Sequence, residues 1–495
     1  MCCTFLLMVC FSLSVTLCAG QEEKSEKPNI IFILIDDLGG TDLGCYGSVF
    51  HETPQLDQMA REGMQFTNAY AACAVCSPTR AAFQTGLYPA RIGITDWIRS
   101  KFQGGIIPPD GKNPSAYVSH PTNRLLCPPN KLFLELEYPT IAEHLKANGY
   151  TTCHIGKWHL GQENHTPLDQ GYDINIAGCD LGQPPNYFDP YESGQPNYLI
   201  PKEVLPPRKA GEYLTDREAD EAVRFIREHK EKPFFLHLAH YAVHTPLQAK
   251  PELVDKYKAK LEQMRKDGAE PKQKNPTYAA MVQSVDEAVG RLLDTLQSEG
   301  IADRTYVIFT SDNGGLVGPT DNTPFRSGKG FAYEGGIREP LLVWAPGRIA
   351  AGTKSDVPTI TMDMFPTFCD LAGIPLPQTP LDGLSIRPLL DQKNPEYVSK
   401  FVERPLFWHF PHYRGNDSKS SPYSIARLGD WKLIRFDDSE VLELYNLRED
   451  ISESNNLAET KADIVQKLAK LLDDHLDSVG AKRVKPNPNY RQSDK

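Results

Sequence analysis

The 495-residue chain has no excess of positive charge: 53 Lys and Arg stand against 64 Asp and Glu, for a formal net charge of −11. A protein whose main partner is nucleic acid needs a basic face for the phosphates, so this balance argues against that function. A local cationic pocket is still allowed, and an anionic substrate would require one. The chain is too long for one small core and suits a large α/β domain with a smaller one.

Beyond residue 20 the sequence has no apolar run long enough to span a bilayer, so we expect no stable membrane insertion of the mature chain. Residues 1–20 differ, because they hold a strong apolar run without a charged side chain. This pattern predicts a signal peptide that is removed, and hence a secreted or periplasmic protein, or a lysosomal one in a eukaryote. A retained anchor is the alternative. Lipid attachment at Cys18 is disfavoured, because Leu17 fits poorly before a lipidated cysteine.

Cysteine is sparse outside that leader. The seven cysteines that remain are Cys45, Cys73, Cys76, Cys127, Cys153, Cys179 and Cys369. Cys73 and Cys76 form a CxxC pair, but the sequence has no second pair that would complete a zinc site, and the Pro-Thr-Arg that follows has no role in a redox motif. If Cys76 is modified, six cysteines are left, whose pairing the sequence does not define.

Buried strands alternate with helices along most of the chain. Continuous apolar runs predict strands at 29–35, 151–155, 233–239 and 306–310. The helical patterns lie at about 54–63, 138–148, 215–230 and 276–299. This alternation indicates an α/β fold, in which a large, mostly parallel sheet is sandwiched by helices. Ligands bind such sheets beyond the carboxyl ends of the strands. Polar residues follow all four predicted strands, so we expect one crevice to collect them.

The pattern changes after about residue 390. Short runs predict antiparallel strands and then a helix, at 423–427, 431–435, 442–446 and about 460–478. We therefore divide the mature chain into an N-terminal domain at 28–390 and a C-terminal α+β subdomain at 391–495. The tail after about Gly480 is rich in Lys, Pro and Asn, and we expect it to be mobile.

Two acidic clusters follow two of the predicted strands. Asp36 and Asp37 come directly after the first, and Asp312 and Asn313 follow the fourth. Carboxylate and amide oxygens suit Ca²⁺ or Mg²⁺ rather than zinc, and a cation would offset the repulsion between adjacent carboxylates. The alternative is that these residues only cap helices or form turns.

Cys76 opens the run Cys76-Ser77-Pro78-Thr79-Arg80. Proline near a first turn predicts a helix that begins close to Cys76, and the free N–H groups of that helix start would favour an anion. A buried structural cysteine is the alternative, since that is the ordinary role of a lone cysteine. The arginine four residues later favours a reactive residue instead.

Five basic side chains could form a pocket for an anion: Arg80, Lys157, His159, His244 and Lys329. Alternation in an extended segment would point Lys157 and His159 to the same side. Lys329 lies between two glycines, in a segment that can approach a ligand closely. Fixed cations stabilise the charge that develops as an ester bond breaks, and one of them must protonate the leaving oxygen.

Taken together, these motifs resemble those of the type I sulfatases over about residues 27–458. The motifs are Asp36-Asp37, Cys76-Ser77-Pro78-Thr79-Arg80, Gly156-Lys157-Trp158-His159, His244-Thr245-Pro246, Asp312-Asn313-Gly314-Gly315 and Gly328-Lys329-Gly330. Two later runs also match, Gly429-Asp430-Trp431-Lys432-Leu433-Ile434 and Glu443-Leu444-Tyr445-Asn446-Leu447. The resemblance implies a sulfate-ester hydrolase with the alkaline-phosphatase-like fold.

The resemblance also implies a role for each motif residue. A maturation enzyme would oxidise Cys76 to formylglycine, whose hydrated aldehyde attacks sulfur; the second hydroxyl then releases sulfate from the sulfo-enzyme intermediate. Calcium would be held by Asp36, Asp37, Asp312 and Asn313, with the modified Cys76 beside it as a further ligand. The formylglycine would be oriented by Arg80 and His159. The sulfate would be held by Lys157, His244 and Lys329, with His244 or Lys329 protonating the leaving group.

The substrate is expected to be a sulfated carbohydrate, with aryl sulfates as synthetic substrates. The segment Phe407-Trp408-His409-Phe410-Pro411-His412-Tyr413 and the rim segment at 95–100 resemble parts of sulfatases that act on galactose or N-acetylgalactosamine sulfates. We therefore predict that His409 and His412 contact the sugar, although core packing is the alternative for Trp408 and Phe410. Asn164 and Asn416 match the N-glycosylation triplet.

Two other functions remain open at this stage. A phosphodiesterase or phosphonate hydrolase on the same fold shares the oxyanion chemistry, but a two-metal phosphatase needs more His and Asp ligands than these clusters supply. A catalytically silent protein that binds sulfated glycans is the second alternative, and the intact nucleophile and ligand set argues against it.

Overall fold

The computed structural model of the protein describes residues 27–391, 395–414 and 420–491. The predicted signal peptide at 1–20 and the glycosylation triplet at Asn416 lie outside these residues. Asn164 lies within them, at an exposed position with a φ of 67°.

Fifteen strands are present in the described chain. They are β1 (Asn29–Ile35), β2 (Met64–Tyr70), β3 (Leu125–Leu126), β4 (Thr151–Gly156), β5 (Ile174–Ile176), β6 (Phe234–Ala239), β7 (Thr305–Ser311), β8 (Arg338–Trp344), β9 (Thr353–Ser355), β10 (Thr359–Ile360), β11 (Leu406–Phe410), β12 (Tyr423–Leu428), β13 (Trp431–Phe436), β14 (Val441–Asn446) and β15 (Lys485–Pro486). Nine of them form one sheet in the order β10-β2-β8-β7-β1-β6-β4-β5, with β9 paired to β2. The pairs are parallel except for the two that β8 makes.

Twelve α-helices are present in the same described ranges. They are α1 (Pro54–Glu62), α2 (Cys76–Thr85), α3 (Pro89–Ile92), α4 (Ile141–Ala147), α5 (Leu214–His229), α6 (Pro251–Lys266), α7 (Pro276–Ser298), α8 (Glu334–Ile337), α9 (Met364–Leu371), α10 (Arg387–Asp391), α11 (Pro395–Val402) and α12 (Ala462–Ser478). The main helices lie on the two faces of the large sheet: α1, α5, α6 and α7 on one, and α2, α4 and α9 on the other.

Strand β1 shows why the sheet is buried on both faces. Its odd-numbered isoleucines pack into the core on one face, and Ile30, Phe32 and Leu34 pack into the core on the other. Successive side chains of a strand point to opposite faces, so a continuous apolar run suits a strand that is covered on both sides. The predicted α/β fold with a large, mostly parallel sheet is therefore confirmed.

The four predicted strands and the four predicted helices of this domain are confirmed to within a few residues. Helix α6 was not predicted from the sequence. Only Tyr257 and Leu261 of this helix are buried, so its apolar stripe is narrow. The polar residues that surround them hide the helical period in the sequence.

The C-terminal region forms a separate four-stranded antiparallel sheet in the order β11-β12-β13-β14. Helix α12 packs on it through Leu468, Leu472 and Leu476, in a core that also includes the segment just before α2. Strand β11 was predicted as a substrate-binding segment and not as a strand. Trp408 and Phe410 are buried in this core, as the packing alternative required.

The tail after Gly480 makes defined contacts up to Arg491, although its composition suggests a mobile segment. Strand β15 pairs with β3 of the N-terminal domain. The side chain of Asn487 donates hydrogen bonds to the carbonyls of His120 and Asn123. These contacts could not be predicted from the composition of the tail, because backbone pairing and amide hydrogen bonds need no apolar side chains.

No helix within residues 27–391, 395–414 and 420–491 is long and apolar enough to cross a membrane. The seven cysteines of the described chain are all unpaired. Five of them are buried, Cys73 and Cys76 included. When Cys76 is set aside, six cysteines remain, but none of these six is paired in a disulfide.

Candidate active site

Four neighbouring parallel strands, β4, β6, β1 and β7, end at one edge of the large sheet, where the polar clusters meet. Asp36 and Asp312 follow β1 and β7 in matched register, since Ile35 pairs with Ser311. The backbone N–H of Asp37 donates to Oδ1 of Asp312 at 3.2 Å, and Nδ2 of Asn313 donates to Oδ1 of Asp37 at 2.8 Å. The sheet thus brings both acidic clusters together, as the strand pattern predicts.

This acidic group has the chemistry of a hard-cation site. Asp36, Asp312 and Asn313 are fully buried. Oδ1 of Asp36 and Oδ1 of Asn313 accept no hydrogen bond from any described residue. Burial raises the pKa of Asp36 well above its usual range, although Lys157 opposes this shift. Buried oxygens without donors and several carboxylates in one place fit Ca²⁺ or Mg²⁺.

Cys76 lies beside these carboxylates at the first residue of helix α2. Its Sγ lies within 4.8 Å of oxygens of Asp36 and Asp37 and of a ring nitrogen of His244. Val75, just before the helix, is extended with a φ of −143°. The predicted helix start is confirmed. Burial raises the pKa of the Cys76 thiol, and nearby Lys157 and Lys329 lower it.

The residues after Cys76 anchor the motif. Oγ of Ser77 donates to the carbonyl of His159 at 3.0 Å and accepts from the backbone N–H of Ile98 at 2.9 Å. Oγ1 of Thr79 accepts from the N–H of Cys73 at 3.0 Å. These two hydroxyls therefore join three loops around the cysteine, which explains why small hydroxyl residues suit these positions.

Arg80 and Lys157 lie below the pocket and neutralise the carboxylates. Nε of Arg80 donates to Oδ2 of Asp312 at 2.9 Å, and its Nη1 donates to the carbonyl of Lys157. Nζ of Lys157 lies 2.7 Å from Oδ2 of Asp36, and both side chains are fully buried. The predicted role of Lys157 in holding sulfate stays a prediction, and this position beside Asp36 does not add to its support.

His159 lines the pocket, but not by the alternation that the sequence suggested. Its φ is 57°, so the segment after β4 turns at this residue instead of remaining extended. Its Nε2 lies 2.7 Å from the carbonyl of Ile98. Gly182 provides the space for the ring, since a Cβ there would lie 2.5 Å from Cε1 of His159. Burial keeps the pKa of His159 well below its usual range.

Lys329 and His244 form a pair on Asp37. Nζ of Lys329 lies 2.7 and 2.9 Å from the two Asp37 oxygens and 3.1 Å from Nε2 of His244. Nδ1 of His244 lies 2.7 Å from the carbonyl of Thr245, which assigns the ring proton to Nδ1 and leaves Nε2 to accept from Lys329. Burial and Lys329 lower the pKa of His244 to about 3.

The glycines beside Lys329 allow this close approach. A Cβ on Gly328 would lie 2.3 Å from the carbonyl oxygen of Gly315, and Gly330 has a φ of 85°. A side chain at either position would displace the backbone of Lys329. The backbone is therefore tightly packed at Lys329, while the predicted close approach of this segment to a ligand stays a prediction.

A pocket of about 380 Å³ opens above this group. Of the predicted residues it is lined by Cys76, His159, His244 and Lys329. The predicted rim at 95–100 is confirmed through Asp96, Trp97 and Arg99. A larger cavity of about 640 Å³ is lined by residues of 272–276 and 317–327 and by none of the predicted site residues. We take the smaller pocket as the candidate site because Cys76 and three of the predicted basic side chains line it.

Asn130 holds the rim loop and was missed by sequence reasoning. Its Oδ1 accepts from the backbone N–H groups of Thr95 and Asp96, and its Nδ2 donates to the carbonyls of Asp96 and Trp97. A lone asparagine in a proline-rich loop gives no signal of such a role, because its partners lie more than thirty residues away.

His409 and His412 lie outside the pocket. Nδ1 of His409 lies 2.8 Å from Oγ of Ser424, and its Nε2 lies 3.2 Å from the carbonyl of Lys482. His412 is buried, with Nε2 2.8 Å from Oγ1 of Thr95. Their contact with sugar stays a prediction that these positions do not support. Tyr413, the last residue of the predicted substrate segment, lines the pocket together with Arg414, which the sequence analysis did not name.

Comparison with known proteins agrees with this geometry. The sequence model of the sulfatase family matches residues 28–374, and that of the N-sulphoglucosamine sulphohydrolase C-terminal region matches residues 327–481. A sulfatase from Formosa agariphila is 32% identical, over 92% of this chain and 89% of that protein. The N-acetylgalactosamine-6-sulfatase of Rattus norvegicus is 35% identical, over 83% of this chain and 72% of that protein.

Solved structures share the fold. The crystal structure of Ps i-CgsB in complex with k-i-k-neocarrahexaose has a TM-score of 0.73 and 30% identity, over 91% of this chain and 93% of that one. The phosphonate monoester hydrolase of Agrobacterium radiobacter, at 22% identity and a TM-score of 0.63 over 91% of this chain and 96% of that one, shows that the fold alone does not define the ester. The family match and the relatives decide it: the protein belongs to the sulfatase family and is a sulfuric ester hydrolase.

Proposed function

We propose that the protein hydrolyses sulfate esters of a carbohydrate with formylglycine at position 76 as the nucleophile. The observation that carries this proposal is the convergence of Cys76, the acidic group and the Lys329–His244 pair at one edge of the sheet. A plain thiol held neutral by burial is a weak nucleophile. The aldehyde, once hydrated, supplies an attacking hydroxyl and a second hydroxyl whose deprotonation releases sulfate.

The side chains around position 76 divide the remaining work. His159 at the wall and Arg80 below the pocket orient the nucleophile. Lys329 and His244 face the same space and would bind the sulfate oxygens, with this pair giving a proton to the leaving oxygen. Asp37 lies against both and keeps Lys329 protonated, since it raises the pKa of that lysine against the effect of burial.

Calcium is the metal that we propose for the acidic group. Asp36, Asp37, Asp312 and Asn313 would hold it, with position 76 beside them. A divalent cation there supplies positive charge that favours ionisation of the nucleophile and offsets the charge of the sulfate. The support is the pair of buried oxygens that lack donors, on Asp36 and Asn313, in a group of carboxylate and amide oxygens.

The substrate that we propose is a galactose or N-acetylgalactosamine sulfate. The pocket combines the aromatic ring of Trp97 with hydrogen-bonding side chains such as Gln183 and Tyr413, a mixture that suits a sugar ring and its hydroxyls. Among the similar proteins, one is named an N-acetylgalactosamine-6-sulfatase and another was solved with a neocarrahexaose. Aryl sulfates would serve as synthetic substrates.

The proposal requires a maturation enzyme and export. A formylglycine-generating enzyme would have to act on the run from Cys76 to Arg80 before folding, because that segment is buried in the folded protein. Signal-peptide removal and release to the periplasm, the medium or the lysosome remain part of the proposal.

The first test measures the modification of Cys76 and the sulfatase activity on the same preparation. Protein from a host that matures another sulfatase should yield a tryptic peptide of Cys76 that is about 18 Da lighter than the thiol form and reacts with an aldehyde probe. Nitrophenyl sulfate and 6-sulfated N-acetylgalactosamine should be turned over, and phosphate diesters and phosphonates should be much poorer substrates.

Cys76→Ser is the matched variant. It should keep the melting temperature within a few degrees and lose at least a thousandfold in kcat, because a serine hydroxyl cannot form the hydrated aldehyde. Normal activity in Cys76→Ser would refute the formylglycine mechanism. Higher kcat/KM for a phosphonate than for every sulfate ester would favour the phosphonate hydrolase, and tight glycan binding with no turnover would favour the binding protein.

A further inference from the structure

The segment that carries Lys329 contacts the C-terminal subdomain at both of its ends. This segment, residues 326–334, leads from the loop after the metal cluster into helix α8. Lys329 lies in its first half, with its ammonium on Asp37 and His244. Glu453, in the loop between β14 and α12, contacts the two ends of the segment at once.

The contacts of Glu453 are short and use both its backbone and its side chain. Its carbonyl oxygen accepts from Nη1 of Arg326 at 2.7 Å. Its Oε2 accepts from the backbone N–H of Glu334 at 2.7 Å. Its Oε1 lies 2.8 Å from Nζ of Lys432 on β13. Lys432 in turn donates to Oε1 of Glu334 at 2.9 Å.

These three charges are buried where two domains meet. Glu334, Glu453 and Lys432 are all 0% exposed. Moving charges out of water opposes their mutual attraction, and apolar replacements of such groups are often neutral or stabilising. Stability alone therefore does not account for a buried carboxylate at this place. Directional contacts do account for it, because a carboxylate can fix an N–H and an ammonium at the same time.

The segment has little freedom between its two fixed ends. The N–H of Gly335 donates to the carbonyl of Arg326 at 3.0 Å, which closes the segment into a loop. Within the loop, the N–H of Gly330 donates to the carbonyl of Ala74, two residues before the nucleophile. A shift of the Glu334 end would therefore be transmitted to Lys329 and to its distance from position 76.

From this geometry we infer that Glu453 is a positioning residue for Lys329. Glu453 holds the first turn of α8 against the C-terminal sheet, and that contact sets where the Lys329 ammonium stands relative to the leaving oxygen. Removal of the carboxylate loosens the segment and impairs proton transfer more than sulfate binding. The inference rests on the proposed function, in which the Lys329–His244 pair protonates the leaving group.

Glu453→Ala tests this inference with two substrates that differ in leaving group. Nitrophenolate leaves easily without a proton, whereas a sugar alkoxide depends on one. We expect kcat to fall about tenfold on nitrophenyl sulfate and about a hundredfold on a sulfated N-acetylgalactosamine, with KM changed less than threefold, since a misplacement of about 1 Å can cost that much. Glu453→Gln keeps an oxygen acceptor for the Glu334 N–H and should restore kcat to within threefold of the parent enzyme.

Asp286→Ala is the matched control. Asp286 is also a buried carboxylate that accepts backbone N–H groups, those of Gln55 and Leu56, but it joins α7 to α1 away from the Lys329 segment. It should lower the melting temperature and leave both kcat values nearly unchanged at a temperature where the protein is folded.

Three outcomes separate the possibilities. Equal losses of kcat on the two substrates, or full activity in Glu453→Ala, would overturn the positioning role. Losses in Glu453→Ala that disappear when the assay temperature is lowered, as for Asp286→Ala, would also overturn it in favour of plain stability. A parent enzyme that turns over neither sulfate ester, despite an aldehyde at position 76, would instead be a failure of the proposed function.

Discussion

At the residue scale, the site is built on cation–carboxylate pairs that lie beneath the pocket. Arg80 lies on Asp312, and Lys157 lies on Asp36 with both side chains fully buried. Removing one partner of such a pair leaves a buried charge uncompensated, at a cost of about 3–5 kcal/mol. Substitutions at these positions would therefore change stability and chemistry together. A neutral residue that only shapes the pocket gives a cleaner measurement.

Gly182 is such a residue. In Gly182→Ala the new methyl group would lie 2.5 Å from Cε1 and 2.6 Å from Nε2 of His159, so the ring must move away from the carbonyl of Ile98. We expect kcat/KM on nitrophenyl sulfate to fall at least tenfold, because the proposed role of His159 is to orient the nucleophile. Steady-state kinetics and a melting curve on the same preparation measure the effect.

The control for this substitution is Gly290→Ala in helix α7. Its methyl group would meet Cγ of Gln55 at 2.7 Å, and that flexible side chain can give way. Activity should be unchanged, and stability should change little, since alanine also has the better helix propensity. Full activity in Gly182→Ala would mean that the ring of His159 need not hold its place.

At the element scale, the contact between helix α8 and the small sheet contains two carboxyl groups that titrate differently. Burial raises the pKa of Glu453 to about 7, against the effect of Lys432. Burial also acts on Glu334, but Lys432, Arg338 and Arg427 outweigh it and lower the pKa to about 2. As the pH falls, Glu453 therefore takes up a proton first, while Glu334 stays ionised against Lys432.

This difference predicts how stability depends on pH. An unfolded chain releases the Glu453 proton near the ordinary pKa of 4.5, whereas the folded protein holds it up to about 7. The stability that this group contributes is full below pH 4.5 and is lost as the pH rises to 7. Thermal melts from pH 4.5 to 8 should show the parent losing about 1–3 kcal/mol more than Glu453→Gln over this range.

Other buried carboxyl groups also titrate near neutrality, so the comparison between parent and variant is the measurement that matters. Burial raises the pKa of Asp286 to about 7 as well. Its contribution is the same in both proteins and cancels in the difference. Parallel curves for the parent and Glu453→Gln would contradict the assignment of the proton to Glu453.

Several elements with a strong apolar pattern were predicted from the sequence, although β8 and α9 are also apolar and buried and were not predicted. The run at 29–35 is a strand buried on both faces, so its pattern left little ambiguity. Strand β11 was missed because Phe407, Trp408 and His409 suggest a sugar-binding surface as readily as a core strand. Strand β15 was missed because both its residues are exposed, so it has no apolar pattern, and its pairing with β3 is made by the backbone.

At the scale of the whole molecule, two regions of the chain line the pocket, and the strand pattern of the sequence accounts for only the first of them. The motif residues follow strands of a parallel sheet, and that topology brings strand ends together whatever the loops do. The other wall comes from Tyr413 and Arg414 of the C-terminal subdomain, whose place depends on how the small sheet docks on the large domain. Docking follows from long-range contacts such as Lys432–Glu334, which no local pattern encodes.

Calcium at the proposed site should also raise the stability of the whole folded molecule. Asp36 and Asn313 each have a buried oxygen without a donor in the described chain, and a cation would satisfy both. A metal that binds only the folded state stabilises it by about 2.7 kcal/mol at a hundredfold excess over Kd. Removal of calcium with a chelator should therefore lower the melting temperature by several degrees and abolish turnover, and added Ca²⁺ should restore both.

Asn313→Ala separates a specific site from a general effect of ionic strength. The variant loses one proposed ligand and the hydrogen bond from Nδ2 to Asp37, while the three aspartates remain. Its melting temperature should respond to Ca²⁺ only at much higher concentration than that of the parent. Melting temperatures that shift equally in the two proteins, or a parent that is indifferent to chelation, would contradict the assigned ligands. Arg80, Lys157 and Lys329 would then be the only positive charges that these carboxylates require for the molecule to fold.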